Sequence, residues 1–165
     1  MQSRLRPWSL DDLSSLVKYA NNYAIAKNLT GHFPHPYNEE DGRRFIGMAT
    51  SAVPARIFAI EVNGEAAGGI GIHPQEDIHV KCAELGYWLA EPFWGKGIMT
   101  QAVKEMIGYA FDTFDIVRLY ARPFSSNLAS QKVLEKAGFA HEATLKKSIF
   151  KNGQIMDELI YSIVK

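Results

Sequence analysis

Of all residues in the chain, two glycines one residue apart, Gly95 and Gly97, most clearly indicate a functional site. They precede an apolar run with helical spacing. Glycine removes side-chain bulk where the backbone turns sharply or where a bulky group approaches it. A helix that starts after such a turn leaves its first N–H groups without intrahelical partners, and its positive end attracts anions. The pattern predicts a site for a phosphorylated cofactor, with a plain tight turn as the alternative.

Two familiar phosphate-binding motifs do not fit this turn. A nucleotide P-loop requires a lysine that is followed by serine or threonine, whereas Lys96 is followed by Gly97. A dinucleotide fingerprint requires a third glycine, and Thr100 stands at that position. Two interpretations of the turn remain: it binds a pyrophosphate in another way, or it binds no phosphate at all.

Strands and helices must position this turn, and hydrophobic periodicity predicts their order. Asn63-Gly64 and Asn152-Gly153 each separate two apolar runs and predict β-hairpins. Strand–helix–strand units in the middle of the chain predict parallel neighbours. The predicted strands cover residues 4–8, 57–62, 66–72, 82–90, 116–121, 139–151 and 155–164, and the predicted helices lie near residues 9–20, 22–29, 38–53, 98–111 and 125–137.

These elements predict an α+β (mixed α/β) fold, with a central, twisted, mixed sheet of about seven strands flanked by helices on both faces. The chain has 165 residues, the length of about one domain, and we expect a single domain over residues 1–165.

Charge and composition narrow the class of protein. Lys plus Arg equals Asp plus Glu at 18 each, so no basic excess favours DNA as a partner. The single cysteine, Cys82, excludes an intrachain disulfide and is compatible with a reducing compartment. The N-terminal residues show no apolar signal segment, and no apolar run reaches membrane length. We therefore expect a cytoplasmic protein that does not bind membranes.

Five segments in a fixed order resemble the Gcn5-related N-acetyltransferase (GNAT) family over nearly the whole chain. The segments read LRPW at residues 5–8, FPHPY at 33–37, ELGYWL at 84–89, WGKGIMT at 94–100, and NLAS with LEKAGF between 127 and 139. The resemblance is closest to the branch that acetylates protein N-termini, typified by the ribosomal-protein alanine acetyltransferases. Trp94 stands where this family usually has Gln or Arg, and Met99 where it usually has Gly or Ala.

The resemblance implies the GNAT fold and acetyl-coenzyme A (acetyl-CoA) as cofactor. The pyrophosphate would lie on the backbone N–H groups of the turn, and the pantetheine arm would pair with the preceding strand like an added β-strand. The implied cofactor-binding residues are Tyr87, Trp88, Leu89, Trp94, Gly95, Lys96, Gly97, Ile98, Met99, Thr100 and Asn127.

The resemblance also implies direct transfer of an acetyl group to an amine, with Glu84, Ser130 and Asn127 as catalytic candidates. Glu84 would accept the amine proton, directly or through water, unless it forms a structural salt bridge. A backbone N–H near Leu89 would stabilise the oxyanion. Asn127 would contact the pantetheine, cap a helix, or do both. Ser130 would steady the thiolate, or stand as a solvated serine.

Two sequence observations keep other bases open. Some relatives place a glutamate on the late hairpin, where this chain has Lys147-Ser148-Ile149-Phe150 without an acid. His32 and His35 are alternative bases because an unperturbed histidine titrates near pH 6.5, about neutral. No histidine pair has metal-ligand spacing on a predicted helix, so we expect no metal site.

The acceptor is expected to be a primary amine, either a peptide or protein N-terminus or a small amine. Residues 30–37 form a loop in which Phe33 and Tyr37 either pin the loop to the core or wall the acceptor pocket. A homodimer is compatible with the sequence. The alternative function is a non-catalytic acyl-CoA-binding sensor or protein-interaction domain on the same fold.

Overall fold

The computed structural model describes residues 1–165 and contains seven strands and five α-helices. The strands are β1 (Ser3–Pro7), β2 (Ile57–Val62), β3 (Glu65–Pro74), β4 (Cys82–Leu89), β5 (Arg118–Ala121), β6 (Ala140–Lys151) and β7 (Gln154–Val164). The helices are α1 (Leu13–Ala20), α2 (Tyr23–Ala26), α3 (Glu39–Ala49), α4 (Ile98–Thr113) and α5 (Leu128–Ala137). No helix is both long enough and apolar enough to cross a bilayer.

The strands form one sheet in the order β1-β2-β3-β4-β5-β7-β6. Strands β4 and β5 pair in parallel, whereas β1–β2, β2–β3, β5–β7 and β6–β7 pair antiparallel. The predicted mixed sheet of about seven strands is confirmed.

Both predicted hairpins are present, and the turn residues explain why. Asn63 and Gly64 have φ angles of 50° and 89°, and Asn152 and Gly153 have 52° and 75°. Two successive positive φ angles match the twist of a two-residue hairpin, and asparagine and glycine tolerate them best.

The chain divides into two compact units. The first comprises Met1–Gly71 and Tyr87–Ala102, and the second comprises Ile72–Gly86 and Val103–Lys165. The single domain over residues 1–165 stays a prediction.

The core of the first unit gathers apolar residues from strands and helices around two tryptophans, Trp8 and Trp88. Glycines of β3 make room for Trp88, because a Cβ on Gly69 would lie 2.8 Å from the Trp88 indole nitrogen. A Cβ on Gly68 would lie 2.6 Å from the Trp88 carbonyl oxygen. These glycines therefore permit a close approach of the β3 backbone to Trp88.

Helix α2 is shorter than predicted. The sequence suggested a helix near residues 22–29, but only Tyr23–Ala26 is α-helical. The N–H groups of Asn28 and Leu29 bond to carbonyls three residues back, at Ile25 and Ala26. The chain therefore leaves the α-helix through tighter turns, ahead of Gly31.

In the second unit, α5 ends as its sequence predicts. Gly138 has a φ of 106°, and the N–H of Phe139 donates to the Leu134 carbonyl at 2.9 Å. Phe139 is buried, which supplies the hydrophobic contact that accompanies this type of helix end. The other buried residues of this unit include Ile72, Ala83, Leu85, Val103, Met106, Ala110, Leu119, Leu134 and Tyr161.

Candidate functional site

The glycine-rich turn lies at the start of α4, as predicted. Gly95 and Gly97 have φ angles of 72° and 79°, and no atom lies within 4 Å of the position that a Cβ would take on either. The N–H of Gln101 makes the first helical bond, to the Gly97 carbonyl at 3.1 Å. The preceding N–H groups of residues 98–100 therefore have no partner within the helix.

At this turn, the apolar side chains are buried and the glycine backbone is exposed to solvent. Ile98 and Met99 are buried, whereas Gly95, Lys96 and Gly97 are exposed. The first turn of α4 contains no acidic residue. Peptide donors, the helix dipole and the Lys96 ammonium thus act together without a competing carboxylate. This arrangement fits a pyrophosphate group.

Trp94 connects the turn to the end of β4. Its indole Nε1 donates a hydrogen bond to the Leu89 carbonyl at 2.7 Å, although the residue is 43% exposed. Its backbone N–H donates to the Glu91 carbonyl at 3.1 Å and closes a short 3-10 turn over Glu91–Phe93. The sequence placed Trp94 at the cofactor site but gave no sign of this bond.

The end of β4 presents polar groups on a defined side. The Ala90 N–H donates to the Ala67 carbonyl on β3 at 2.8 Å. Because neighbouring residues of a strand direct their polar groups to opposite sides, the N–H and carbonyl of Leu89 point away from β3. The parallel pairing between β4 and β5 runs from Cys82 and Arg118 to Glu84 and Tyr120, so it ends before Leu89.

Trp88 can serve the predicted cofactor pairing only through its backbone. Its side chain is buried in the core of the first unit and packs edge-on against Phe33, with ring centroids 5.8 Å apart. Tyr87 is half-buried. The Trp88 side chain therefore anchors the strand predicted to pair with pantetheine in the core of the first unit.

The loop over residues 30–37 is pinned to the core, as one of its two predicted roles requires. Tyr37 is 4% exposed, and burial raises the pKa of its phenol to about 12. Phe33 packs against Tyr37 with centroids 5.3 Å apart. The other predicted role, a wall of the acceptor pocket, stays a prediction.

In the second unit, Glu84 lies half-buried on β4 beside Tyr120 of β5. Burial and then the negative charge of Glu84 raise the pKa of Tyr120, so this phenol stays protonated at neutral pH. The neutral Tyr120 hydroxyl, a hydrogen-bond donor, thus lies next to the Glu84 carboxylate.

An ion pair between an exposed arginine and a buried glutamate lies near these two residues. Arg122 donates to Glu158 of β7 at 2.7 Å, and the residue Glu158 is only 9% exposed. This hydrogen bond is the main cause that raises the pKa of Arg122, and the charge of Glu84 adds to it. Arg118 pairs with Glu142 at 2.8 Å. Arg118 of β5 and Arg122, which follows β5, thus already have carboxylate partners other than Glu84.

Asn127 caps α5, which confirms one of its two predicted roles. Its side-chain oxygen accepts from the Ser130 N–H at 3.2 Å. The amide nitrogen at the other end of the side chain can act only as a donor. Ser130 is half-buried in the first turn of the helix.

Sequence reasoning missed Tyr120, Arg122 and Glu158. It looked for a late acid at residues 147–150, whereas the buried acid is Glu158, on the next strand. The alternation of Arg118, Tyr120 and Arg122 with apolar residues was a usable signal, because such residues share one face of a strand. The described residues contain no group of three His, Cys, Asp or Glu side chains that could hold a metal ion.

Comparison with known proteins decides the family. The model of the acetyltransferase (GNAT) domain matches residues 3–140. This chain belongs to the GNAT family. Among solved structures, the microcin C7 self-immunity acetyltransferase MccE, in complex with acetyl-CoA and AMP, is 27% identical with a TM-score of 0.85. That alignment covers 99% of this chain and 93% of MccE.

Curated GNAT relatives are similar over part of their length. The ribosomal-protein-serine acetyltransferase of Escherichia coli is 30% identical over 128 residues, 76% of this chain and 71% of that protein. YdaF of Bacillus subtilis is 35% identical over 103 residues, 62% of this chain and 56% of YdaF. The chain thus spans about half the length of the first curated relatives that it matches. The predicted GNAT fold is confirmed.

Proposed function

We propose that this GNAT protein transfers the acetyl group of acetyl-CoA to a primary amine, with a protein N-terminal α-amino group as acceptor. The start of α4 carries the proposal, because its exposed peptide donors, positive-φ glycines and lack of acids suit a pyrophosphate. The acetyl-CoA in MccE supports the cofactor. The name of the Escherichia coli relative supports the acceptor class.

When bound, acetyl-CoA supplies the acetyl group as a thioester. The backbone N–H groups of residues 95–100 would hold the pyrophosphate, with Lys96 adding charge and with Trp94 completing the turn. The backbone of Tyr87, Trp88 and Leu89 would pair with the pantetheine, and Asn127 would donate its amide N–H to that arm. The buried side chains of Ile98 and Met99 fix the turn to the core.

Three groups of the chain would serve the chemistry. The Glu84 carboxylate would accept a proton from the ammonium of the acceptor, whose pKa as an α-amino group is about 8. The Leu89 N–H would donate to the thioester oxygen as negative charge develops there. The Ser130 hydroxyl would donate to the departing sulfur. His32 and His35 lie in the loop and remain alternative bases.

Turnover with matched variants tests the proposal. Unmodified protein should release thiol from acetyl-CoA with a peptide that has an α-amino group, and mass spectrometry should find the acetyl group there. The same peptide with a blocked N-terminus should give no product. Glu84→Gln should lower kcat about 100-fold, as expected for loss of a general base. Glu76→Gln, at an exposed loop position, serves as control.

The outcomes separate the enzyme from the alternative. Binding of coenzyme A without thiol release from any amine would contradict transfer and favour the sensor. A Glu84→Gln variant with unchanged kcat would remove Glu84 from the mechanism while leaving transfer itself intact. The cytoplasmic location and the homodimer stay predictions.

A further inference from the structure

We infer that Trp94 is a positioning residue: its indole N–H holds the Leu89 carbonyl so that the end of β4 presents a donor, and no competing acceptor, to the reacting carbonyl. The inference rests on the proposed function, in which the Leu89 N–H stabilises the oxyanion. It assigns the tryptophan a role in the chemistry, beyond the phosphate turn in which it lies.

The peptide group between Leu89 and Ala90 is held at both of its ends. Its carbonyl accepts from Trp94 Nε1 at 2.7 Å, and its N–H donates to the Ala67 carbonyl at 2.8 Å. The Trp94 backbone is itself fixed by its bond to Glu91 at 3.1 Å. Rotation of this peptide group therefore requires the loss of two hydrogen bonds. The Leu89 carbonyl is thereby held in one direction, on the same side of β4 as the Leu89 N–H.

The direction of the Leu89 polar groups explains why the bond from Trp94 matters for the reaction. The Leu89 N–H and carbonyl both point away from β3, so the reacting carbonyl oxygen would meet both. A carbonyl oxygen without a donor there would repel a developing oxyanion and attract water or the acceptor amine. With the indole N–H on that carbonyl, the strand end offers the Leu89 N–H as its polar feature.

Packing of the ring alone does not account for a tryptophan at position 94. The residue is 43% exposed, so much of the ring contributes no burial. A phenylalanine would retain most of the ring contact, but it has no N–H to donate. The hydrogen bond is thus the property of Trp94 that a phenylalanine removes.

Trp8 provides a matched control within the same unit. Its indole Nε1 is buried and has no hydrogen-bond partner. Trp8→Phe therefore removes an indole N–H and some buried ring volume without breaking a hydrogen bond. Trp94→Phe makes the same chemical change and breaks one.

Steady-state kinetics of the two variants test the inference. Trp94→Phe should lower kcat about ten-fold, the effect of about one hydrogen bond, and should leave the KM for acetyl-CoA within about two-fold. Trp8→Phe should keep kcat within about two-fold, whatever it does to the melting temperature. A purely structural role of Trp94 would lower the melting temperature without this split between kcat and KM.

Two results overturn the inference while leaving the proposed function in place. One is an unchanged kcat for Trp94→Phe, and the other is a raised KM for acetyl-CoA at constant kcat. Absence of thiol release from the unmodified protein overturns the proposed function and the inference with it.

A measurement on the unmodified protein covers the case in which Trp94→Phe does not fold. The chain has three tryptophans, so its nitrogen-15 NMR spectrum has three indole N–H signals. The Trp94 indole proton should exchange with solvent at least about ten-fold more slowly than that of a free indole, because it is hydrogen-bonded. Exchange at the rate of a free indole would overturn the inference.

Discussion

Helices α3 and α4 start in opposite ways, although both face the same physical problem of unpaired N–H groups. At α3, the Asn38 side chain accepts from the Asp41 N–H at 2.9 Å, and the Asp41 carboxylate accepts from the Asn38 N–H at 3.0 Å. The first turn of α3 carries three acids, whereas that of α4 carries none and follows two positive-φ glycines.

The difference shows how this chain separates structural from ligand-binding helix starts. Where the chain supplies its own anion, as Asp41 does, the helix dipole and N–H groups are already compensated. At α4, the compensation is left to an external anion. The 3-10 turn over Leu10–Asp12, which leads into α1, resembles α3, with a capping box formed by Ser9 and Asp12.

The largest expected effect on activity comes from covering the peptide N–H groups at the start of α4 with a side chain. Gly97→Val should reduce acetyl transfer about 100-fold or more, because the side chain covers the peptide donors and the φ of 79° strains a β-branched residue. Gly153→Val is the control, since Gly153 has a φ of 75° and the same open surroundings in a hairpin turn. Equal losses in the two variants would attribute the effect to backbone strain.

A smaller effect is expected where the chain's own anion is removed. Arg6 donates to both Asp12 carboxylate oxygens at 2.9 and 2.8 Å, and the Ser9 N–H adds a third bond at 2.9 Å. Asp12→Asn should lower the free energy of unfolding at pH 7 by about 3 kcal/mol, because a buried pair is broken. Acetyl-CoA turnover of the folded variant should stay unchanged. A turnover defect in the folded protein would contradict the separation of structural and binding helix starts.

The same carboxylate predicts how stability depends on pH. Burial opposes ionisation of Asp12, but the bonds from Arg6 and Ser9 outweigh it and hold its pKa below the ordinary value of 3.8. A group with a lowered folded pKa stabilises the protein above its unfolded pKa, and this contribution is lost as pH falls through the folded pKa. Urea unfolding of wild type and Asp12→Asn should therefore converge below pH 3.8. A difference in stability that stays constant down to about pH 2, roughly two units below that value, would contradict this prediction.

The smallest effects separate two asparagine caps. Asn38→Ala and Asn127→Ala should each cost about 1 kcal/mol of stability in chemical unfolding. Only Asn127→Ala should also weaken coenzyme A binding, since its amide is proposed to donate to the pantetheine. Equal affinities in the two variants would leave Asn127 with its capping role alone.

Local chemistry explains which features could be predicted from the sequence. The Asn-Gly hairpins, the Gly138 helix end and the α4 turn each depend on a few adjacent residues with special backbone or capping properties. Arg122 and Glu158 are 36 residues apart in the sequence, and their pairing depends on the register between β5 and β7, which no local pattern specifies. The bond between Trp94 and Leu89 spans five residues, but it depends on the path of the intervening 3-10 turn.

Calorimetric titration with coenzyme A and with pantetheine, which lacks the pyrophosphate and the 3′-phosphoadenosine attached to it, is the decisive test of the anion site at the start of α4. Unmodified protein should bind coenzyme A at least about 100-fold more tightly than pantetheine, because charge-assisted bonds to the pyrophosphate contribute about 1.5–3 kcal/mol each. Gly97→Val should lose most of that difference. Equal affinities for the two ligands in the unmodified protein would mean that the start of α4 does not hold a pyrophosphate.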